Sequence, residues 1–176
     1  MIGRRVAAQP EAGLSLVELV VEIAIGGLMI SLAFNGKSMF ANRRLTGMAR
    51  NLATDVRMIE QAARTERTCY RLTFDPVTET YTIEQYTGAV TPAPVGGGSQ
   101  CLDAASWAIA VRDIPGDTVS RHMPRDVDLT STTFTSDIMT FSPLGNPNAG
   151  TVTLTTPSGQ VRQVTVEVAG RVRILP

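Results

Sequence analysis

Apolar and polar residues alternate along this chain in three successive patterns. Residues 14–34, LSLVELVVEIAIGGLMISLAF, form a nearly unbroken apolar run without Lys, Arg, Asp, Asn, Gln or Pro. As a helix at about 1.5 Å per residue this run spans roughly 30 Å, the thickness of a bilayer's hydrocarbon core. Only Glu18 and Glu22 carry charge within it. Between 45 and 63 the apolar residues fall at Leu45, Met48, Leu52, Val56, Ile59 and Ala63. Steps of three and four residues predict an amphipathic helix. No proline separates Pro10 from Pro76, so one helix is expected from 14 to about 67, with Gly26-Gly27, Asn35-Gly36 and Gly47 as its soft spots. Its first half would lie in a membrane or a filament core. Its second half would lay one stripe on a sheet.

Beyond residue 67 the period becomes two. Cys69 to Phe74 and Thr80 to Tyr86 flank DPVTE, a predicted hairpin. Residues 87–100, TGAVTPAPVGGGSQ, read as a loop. Trp107, Ile109 and Val111 suggest one strand, followed by polar loops up to about 130. Phe134 to Phe141 reads as another strand, and SPLGNPNAG as a turn cluster. Val152 and Leu154 alternate with Thr, PSGQ turns the chain, and Val164, Val166 and Val168 alternate again. Arg171 to Ile174 closes the pattern. One long helix followed by antiparallel strands is an α+β arrangement, and the roughly 140 residues after the apolar run are enough to bury a core.

Composition changes this picture little until it is divided. The chain has 176 residues, 16 Lys+Arg against 16 Asp+Glu, 43% hydrophobic and 5% aromatic residues. That excludes a uniformly basic nucleic-acid binder, an acidic disordered chain and, with two Cys, a disulfide-dense scaffold. The balance is a coincidence of segments. Residues 1–13 carry +1, 14–34 carry −2, 35–67 carry +4 and the remainder −3. Arg43, Arg50, Arg57 and Arg64 recur every seven residues on a face opposite the apolar stripe. A solvated face with local ion pairs such as Glu60 to Arg64 is the ordinary reading. Contact with an acidic partner, a lipid headgroup or nucleic acid is the alternative.

Three readings of the N-terminus compete. A secretory signal has an uninterrupted apolar stretch with a small-residue cleavage site after it, whereas here Gly13 precedes the run. Arg4-Arg5 is only a fragment of a twin-arginine signal. A retained membrane helix fits the length, at a cost of about 2.5 kcal/mol or more for each carboxylate near the bilayer centre. The order of residues decides among them. A short basic leader ends in Gly13 and is followed by Leu14, Ser15, Leu16, Val17, Glu18 and Leu19. This resembles the type III signal of type IV prepilins and type II secretion pseudopilins. Its pattern is Gly, then a hydrophobic residue, then Glu at the fifth mature position of an apolar helix. Two departures are Leu14, where Phe is commoner, and Glu22, where such helices keep an apolar residue.

The resemblance implies cleavage after Gly13 by a prepilin peptidase and N-methylation of Leu14. It also implies an anchor at 14–34, an amphipathic continuation at 35–67 and a β-rich head at 68–176. The head would lie in the periplasm, outside the inner membrane. The implied partners are other pilins or pseudopilins and the inner-membrane assembly machinery. A new amine on Leu14 would find its counterion in Glu18 of a neighbouring helix, where low dielectric makes pairing count. Glu22 lies one turn on and faces the same way. It is either a residue near the membrane surface or a second polar contact. Two Arg precede the helix and Lys37, Arg43 and Arg44 follow it, so the positive-inside count leaves orientation open.

The tail carries a second resemblance. FSPLGNPNAGTVTL, a Val-rich strand and then GRVRI are similar to the FimT/GspH type of minor pilin and pseudopilin. Strand geometry puts Arg171 and Arg173 on one face, roughly 6.6 Å apart. In FimT-like proteins of DNA uptake a GRxR ending is associated with DNA binding, and Gly170-Arg171-Val172-Arg173 fits it. A glycine turn before a final strand with solvent-facing Arg is the ordinary alternative. Cys69 and Cys101 would both lie outside the cytoplasm, either bridged or as two buried thiols. A bridge would contribute on the order of 3 to 4 kcal/mol by loop closure.

Little points to catalysis. There is no CxxC, the GGG at 96–98 lacks a following Lys-Ser/Thr, and His122 is the only His. The expected protein is a structural subunit without cofactor or metal.

Overall fold

A computed structural model of the chain describes residues 15–90, 101, 104–109 and 120–176, the side chains of 32–38 and 104 excepted. It divides into two units, Met1–Met39 and Phe40–Pro176. One helix, α1, runs over Leu16–Glu66 and contributes to both. It ends where expected, at Arg67 in the left-handed conformation (φ 53°) that closes many helices.

In the first unit every described side chain from Ser15 to Ser31 is exposed, including Leu16, Val17, Ile23, Leu28 and Ile30. Among the described residues, no helix is long and apolar enough to cross a membrane. Leu14 and the side chains of 32–34, which belong to the expected anchor, lie outside them.

In the second unit the strands are β1 Tyr70–Asp75, β2 Thr80–Tyr86, β3 Trp107–Ile109, β4 Ser120–His122, β5 Asp128–Thr132, β6 Ile138–Phe141, β7 Gly150–Thr155, β8 Val161–Val166 and β9 Val172–Leu175. They form two antiparallel sheets where the sequence suggests one. The first has the order β3-β2-β1-β6, with β4 also pairing β2, and the second β5-β7-β8-β9. All six residues of the helical stripe are buried. They share one core with Tyr70, Leu72, Phe74, Tyr81, Met139 and Phe141 of the first sheet and Leu129, Val152, Leu154, Val164 and Val166 of the second. Antiparallel alternation explains why Thr151, Thr153 and Thr165 turn away from that core.

The hairpin between β1 and β2 is built as its sequence suggests. Asp75 Oδ1 accepts the backbone N–H of Val77 (2.9 Å) and Thr78 (3.2 Å), an Asx turn. The Thr78 side chain first, and then these two backbone donors, favour the ionised carboxyl and hold it below its ordinary range.

Three expectations are corrected. The 112–130 stretch, expected as loops, contains β4 and the start of β5, whose short polar sequences hide the period of two; Val111 lies outside the described residues. Phe134 to Phe141 is not one strand. Ser136 and Asp137 both adopt positive φ (57° and 56°), and a short 3-10 turn precedes β6. Thr132 donates to Asp137 at 2.6 Å and holds that break. Val168 leaves the alternation because it sits in a turn, exposed.

Three tight turns share one design. Ser142, Thr156 and Glu167 each accept a hydrogen bond from the N–H of a glycine three residues on, at Gly145, Gly159 and Gly170. All three glycines have φ between 77° and 81°, the left-handed position that favours glycine.

Candidate functional site

Two surfaces gather the residues singled out by the sequence. The first is the start of α1. Glu18 lies in its first turn, where the helix dipole favours a carboxylate. Glu22 follows one turn later, and both are exposed. Around them Leu16 is 78% and Val17 68% exposed. A continuous apolar surface of this kind is unfavourable in water and marks a binding or membrane face. Gly13 and Leu14, the expected cleavage and methylation positions, lie outside the described residues.

The second surface is the β8–β9 hairpin. Gly170 is held there twice over: its φ is +80°, and the Glu60 carboxylate occupies the space a Cβ would need. The turn directs Val172 and Ile174 opposite Val166 and Val164, on the core side, and Arg173 opposite Thr165 on the outer side. Arg171 and Arg173 therefore share the outer face, with side chains 63% and 52% exposed. Glu167 stands between them. Its carboxylate lies 3.1 Å from Arg173 Nε and 3.8 Å from Arg171 Nε. The first is a close ion pair and the second a longer Coulombic contact. The pair of arginines thus presents about one net positive charge.

The arginine row on α1 does not behave as a single stripe. Arg64 pairs with Glu60 at 2.6 Å and donates to Leu144 O at 3.1 Å. Arg57 donates to Val172 O at 3.4 Å. Arg44, adjacent to the row, pairs with Asp126 at 2.8 Å.

Two clusters go beyond the sequence reading, which named only the Cys69–Cys101 bridge among their contacts. Asp55, buried, accepts the Tyr81 hydroxyl at 2.5 Å and faces Arg121 Nη1 at 2.8 Å. This ties the helix to β2 and β4. Burial first, and then the Asp55 charge, push the Tyr81 hydroxyl far above its ordinary range. The available signal was position: Asp55 falls on the apolar stripe between Leu52 and Ile59. The other cluster lies on the far face of the first sheet. Cys69 and Cys101 form a disulfide, with Cα atoms 6.3 Å apart. It packs with Tyr86 and Trp107, whose rings meet edge-on at 5.3 Å. Arg71 lies 4.5 Å over the Trp107 ring and forms two hydrogen bonds to Glu84, at 2.6 and 3.0 Å. Those bonds, with help from Thr73, hold the Glu84 carboxyl below its usual range against the opposing effect of burial. Long-range pairs of this kind have no local sequence signature.

His122 is exposed at the end of β4. Among the described residues no group of three His, Cys, Asp or Glu is placed to hold a metal ion.

Residues 48–170 match the family model of the type II transport protein GspH. The match spans the core half of α1 through the β8–β9 turn, well over half of the chain. A comparison with curated proteins finds no match. Among solved structures, the minor pseudopilin EpsH from the type 2 secretion system of Vibrio cholerae aligns with a TM-score of 0.57 at 14% identity. That alignment covers 75% of this chain and 96% of EpsH. The type IV minor pilin FimU of Pseudomonas aeruginosa aligns with a TM-score of 0.52 at 16% identity, covering 77% of this chain and 90% of FimU. At these identities the likeness establishes a common fold, a helix with antiparallel sheets. The core stripe from Met48 on, strands β1 to β8 and the three glycine turns all lie inside the matched span, and the chain belongs to the GspH family of type II transport proteins.

Proposed function

We propose that this chain is a minor subunit of a type II secretion pseudopilus. Members of its family are structural rather than enzymatic, and this one would act by taking its place in a filament. In this reading it enters the inner membrane through residues 14–34 with its head in the periplasm. A prepilin peptidase and methyltransferase then cleaves it after Gly13 and methylates Leu14. The assembly machinery draws it from the bilayer, guided by pairing of the Leu14 amine with Glu18 of a neighbouring subunit. Glu22 supplies a second polar contact in the filament. A type IV pilus is the alternative setting, since FimU shares the fold.

The observation that carries this reading is the apolar surface of α1 from Leu16 to Ile30, exposed throughout, on a helix whose later turns form the core of a GspH-type head. A surface of that size needs lipid or neighbouring helices to cover it. Intact mass and N-terminal sequencing after co-expression with a prepilin peptidase test it. The expected product begins at N-methylated Leu14, and Glu18→Ala is processed but not incorporated. A membrane-bound chain that still begins at Met1 would end the proposal.

A second reading, DNA contact through Gly170, Arg171 and Arg173, draws on the exposure of both guanidiniums on one face. Because Glu167 offsets one of the charges, binding would be weak and steeply salt-dependent. At low salt, Arg171→Gln/Arg173→Gln should abolish retention of duplex DNA; equal retention by the variant rules this reading out.

A further inference from the structure

The solvent side of α1 within the second unit carries a pattern that the fold engages only at Arg57, through its bond to Val172 O. Arg43, Gly47, Arg50, Thr54, Arg57 and Gln61 follow one another at steps of four and three residues. They form one seam on the side of the helix opposite the core stripe. Five of the six are exposed, and Gly47 is half-buried. Arginine occupies every seventh position, and Gly47 and Thr54 lie between.

A strict seven-residue repeat drifts by about 20° per heptad on a straight α-helix. That drift accounts for the different fates of the arginines. Arg64, at the C-terminal end, has rotated onto the head and is bound by Glu60 and Leu144 O. Arg57 only reaches Val172 O. The guanidiniums of Arg43 and Arg50 have no hydrogen bond or ion pair among the described residues. A second observation is independent of charge. A Cβ on Gly47 would meet nothing within 4 Å. Glycine inside a helix costs roughly 1 kcal/mol relative to alanine, and packing among the described residues gives no reason for it. A small residue flanked by arginines on an open seam is what close approach of another helix requires.

We infer that this seam, Arg43-Gly47-Arg50-Thr54-Arg57, docks a helix of a different pilin-like subunit that presents carboxylates at the same seven-residue interval. The inference rests on the filament reading above. A heptad repeat is kept in register by a left-handed crossing near +20°. A second copy of this chain does not fit. In the described part of its helix the carboxylates are Glu18, Glu22, Asp55, Glu60 and Glu66, and Asp55 is buried. No two of them are seven residues apart, and a parallel copy would set arginine against arginine. The seam therefore selects a neighbour unlike this chain, and charge supplies the selection.

The test places a photo-crosslinking residue at Thr54, which leaves every arginine intact, in the full-length chain expressed in its own host. The expected adduct is with a pilin-like protein other than this chain, mapped to a helix bearing Asp or Glu seven residues apart. Arg43→Glu/Arg50→Glu should reduce its yield at least tenfold, while Arg43→Lys/Arg50→Lys keeps more than half. Gly47→Leu should reduce it similarly without lowering the Tm of the isolated chain, which separates docking from folding. An adduct with lipid, with nucleic acid or with a second copy overturns the inference. So does a partner without carboxylates, or a yield unchanged by charge reversal. Processing and incorporation are read in the same cells. A chain cleaved after Gly13 and incorporated, yet without the Thr54 adduct, rejects the seam alone; an unprocessed chain rejects the filament reading and the seam with it.

Discussion

Removing the carboxylate of Asp55 isolates the interaction that ties α1 to the first sheet. Asp55 has a side chain only 7% exposed and faces Arg121, 24% exposed, at 2.8 Å. It also accepts the Tyr81 hydroxyl. Breaking a fully buried pair by deleting one partner costs about 3 to 5 kcal/mol, because a charge is left without compensation. Water reaches part of the Arg121 guanidinium, so Asp55→Ala is expected at the lower end, about 2 to 4 kcal/mol. Tyr81→Phe removes one hydrogen bond to a charged acceptor, about 1.5 to 3 kcal/mol. The two share an acceptor. The double variant should therefore cost less than the sum, by about 1 kcal/mol. Against a typical stability of about 5 to 15 kcal/mol, each shift is large enough to read. Urea unfolding of the full chain in mild detergent, followed by circular dichroism, supplies the cycle. Single variants each costing under about 1 kcal/mol, and adding without coupling, would refute the view that this buried pair holds β4 to the helix.

Three further outcomes follow from other sites. Cys69→Ser/Cys101→Ser should lose about 3 to 4 kcal/mol by opening the loop, and chemical reduction of the parent chain should reproduce that loss in the same urea titration. Gly170→Ala should destabilise by about 1 to 3 kcal/mol, through its positive φ and the Glu60 carboxylate beside it, whereas Gly47→Ala should raise the Tm. The lowered Glu84 pKa sets a sign at acid pH: above the unfolded glutamate value near 4.3 its full contribution to stability is present. That contribution is lost as pH falls through the lower folded value, because the unfolded chain binds the proton first. Glu84→Gln should flatten this acid limb of a stability–pH curve, and an unchanged limb would discard the assignment.

What the sequence made legible was whatever repeats locally. The period of 3.6 placed every residue of the helical stripe, from Leu45 to Ala63, in the core. Aspartate and proline in DPVTE marked the β1–β2 turn, and PSGQ marked the β7–β8 turn. Short strands were lost because three polar residues, Ser120 to His122, carry no period. Their place in the sheet comes from pairing with Thr80 to Thr82, some forty residues away. The division into two sheets was hidden for a similar reason. Ser136 and Asp137 interrupt an otherwise even alternation through their backbone angles, which the residue types do not announce. On the surface, the exposed outer face of Arg171 and Arg173 followed from strand parity alone. Glu167 between them depended on the turn closing at Gly170. The seven-residue row of arginines was visible, but not that it drifts onto the head at Arg64.

The disulfide has a consequence for how this protein can change over generations. It encloses the stretch between the end of the helix and Cys101, including the Pro/Gly-rich residues 91–100. Loop closure depends on length only logarithmically, and doubling such a loop costs about 0.6 kcal/mol. The cost of closing the bridge is thus nearly insensitive to the length of the chain it encloses. The residues that stack on the bridge, Tyr86 and Trp107, mark where such freedom stops. A change of length in the enclosed chain therefore costs the bridge little, whereas replacing Tyr86 or Trp107 removes what packs on it.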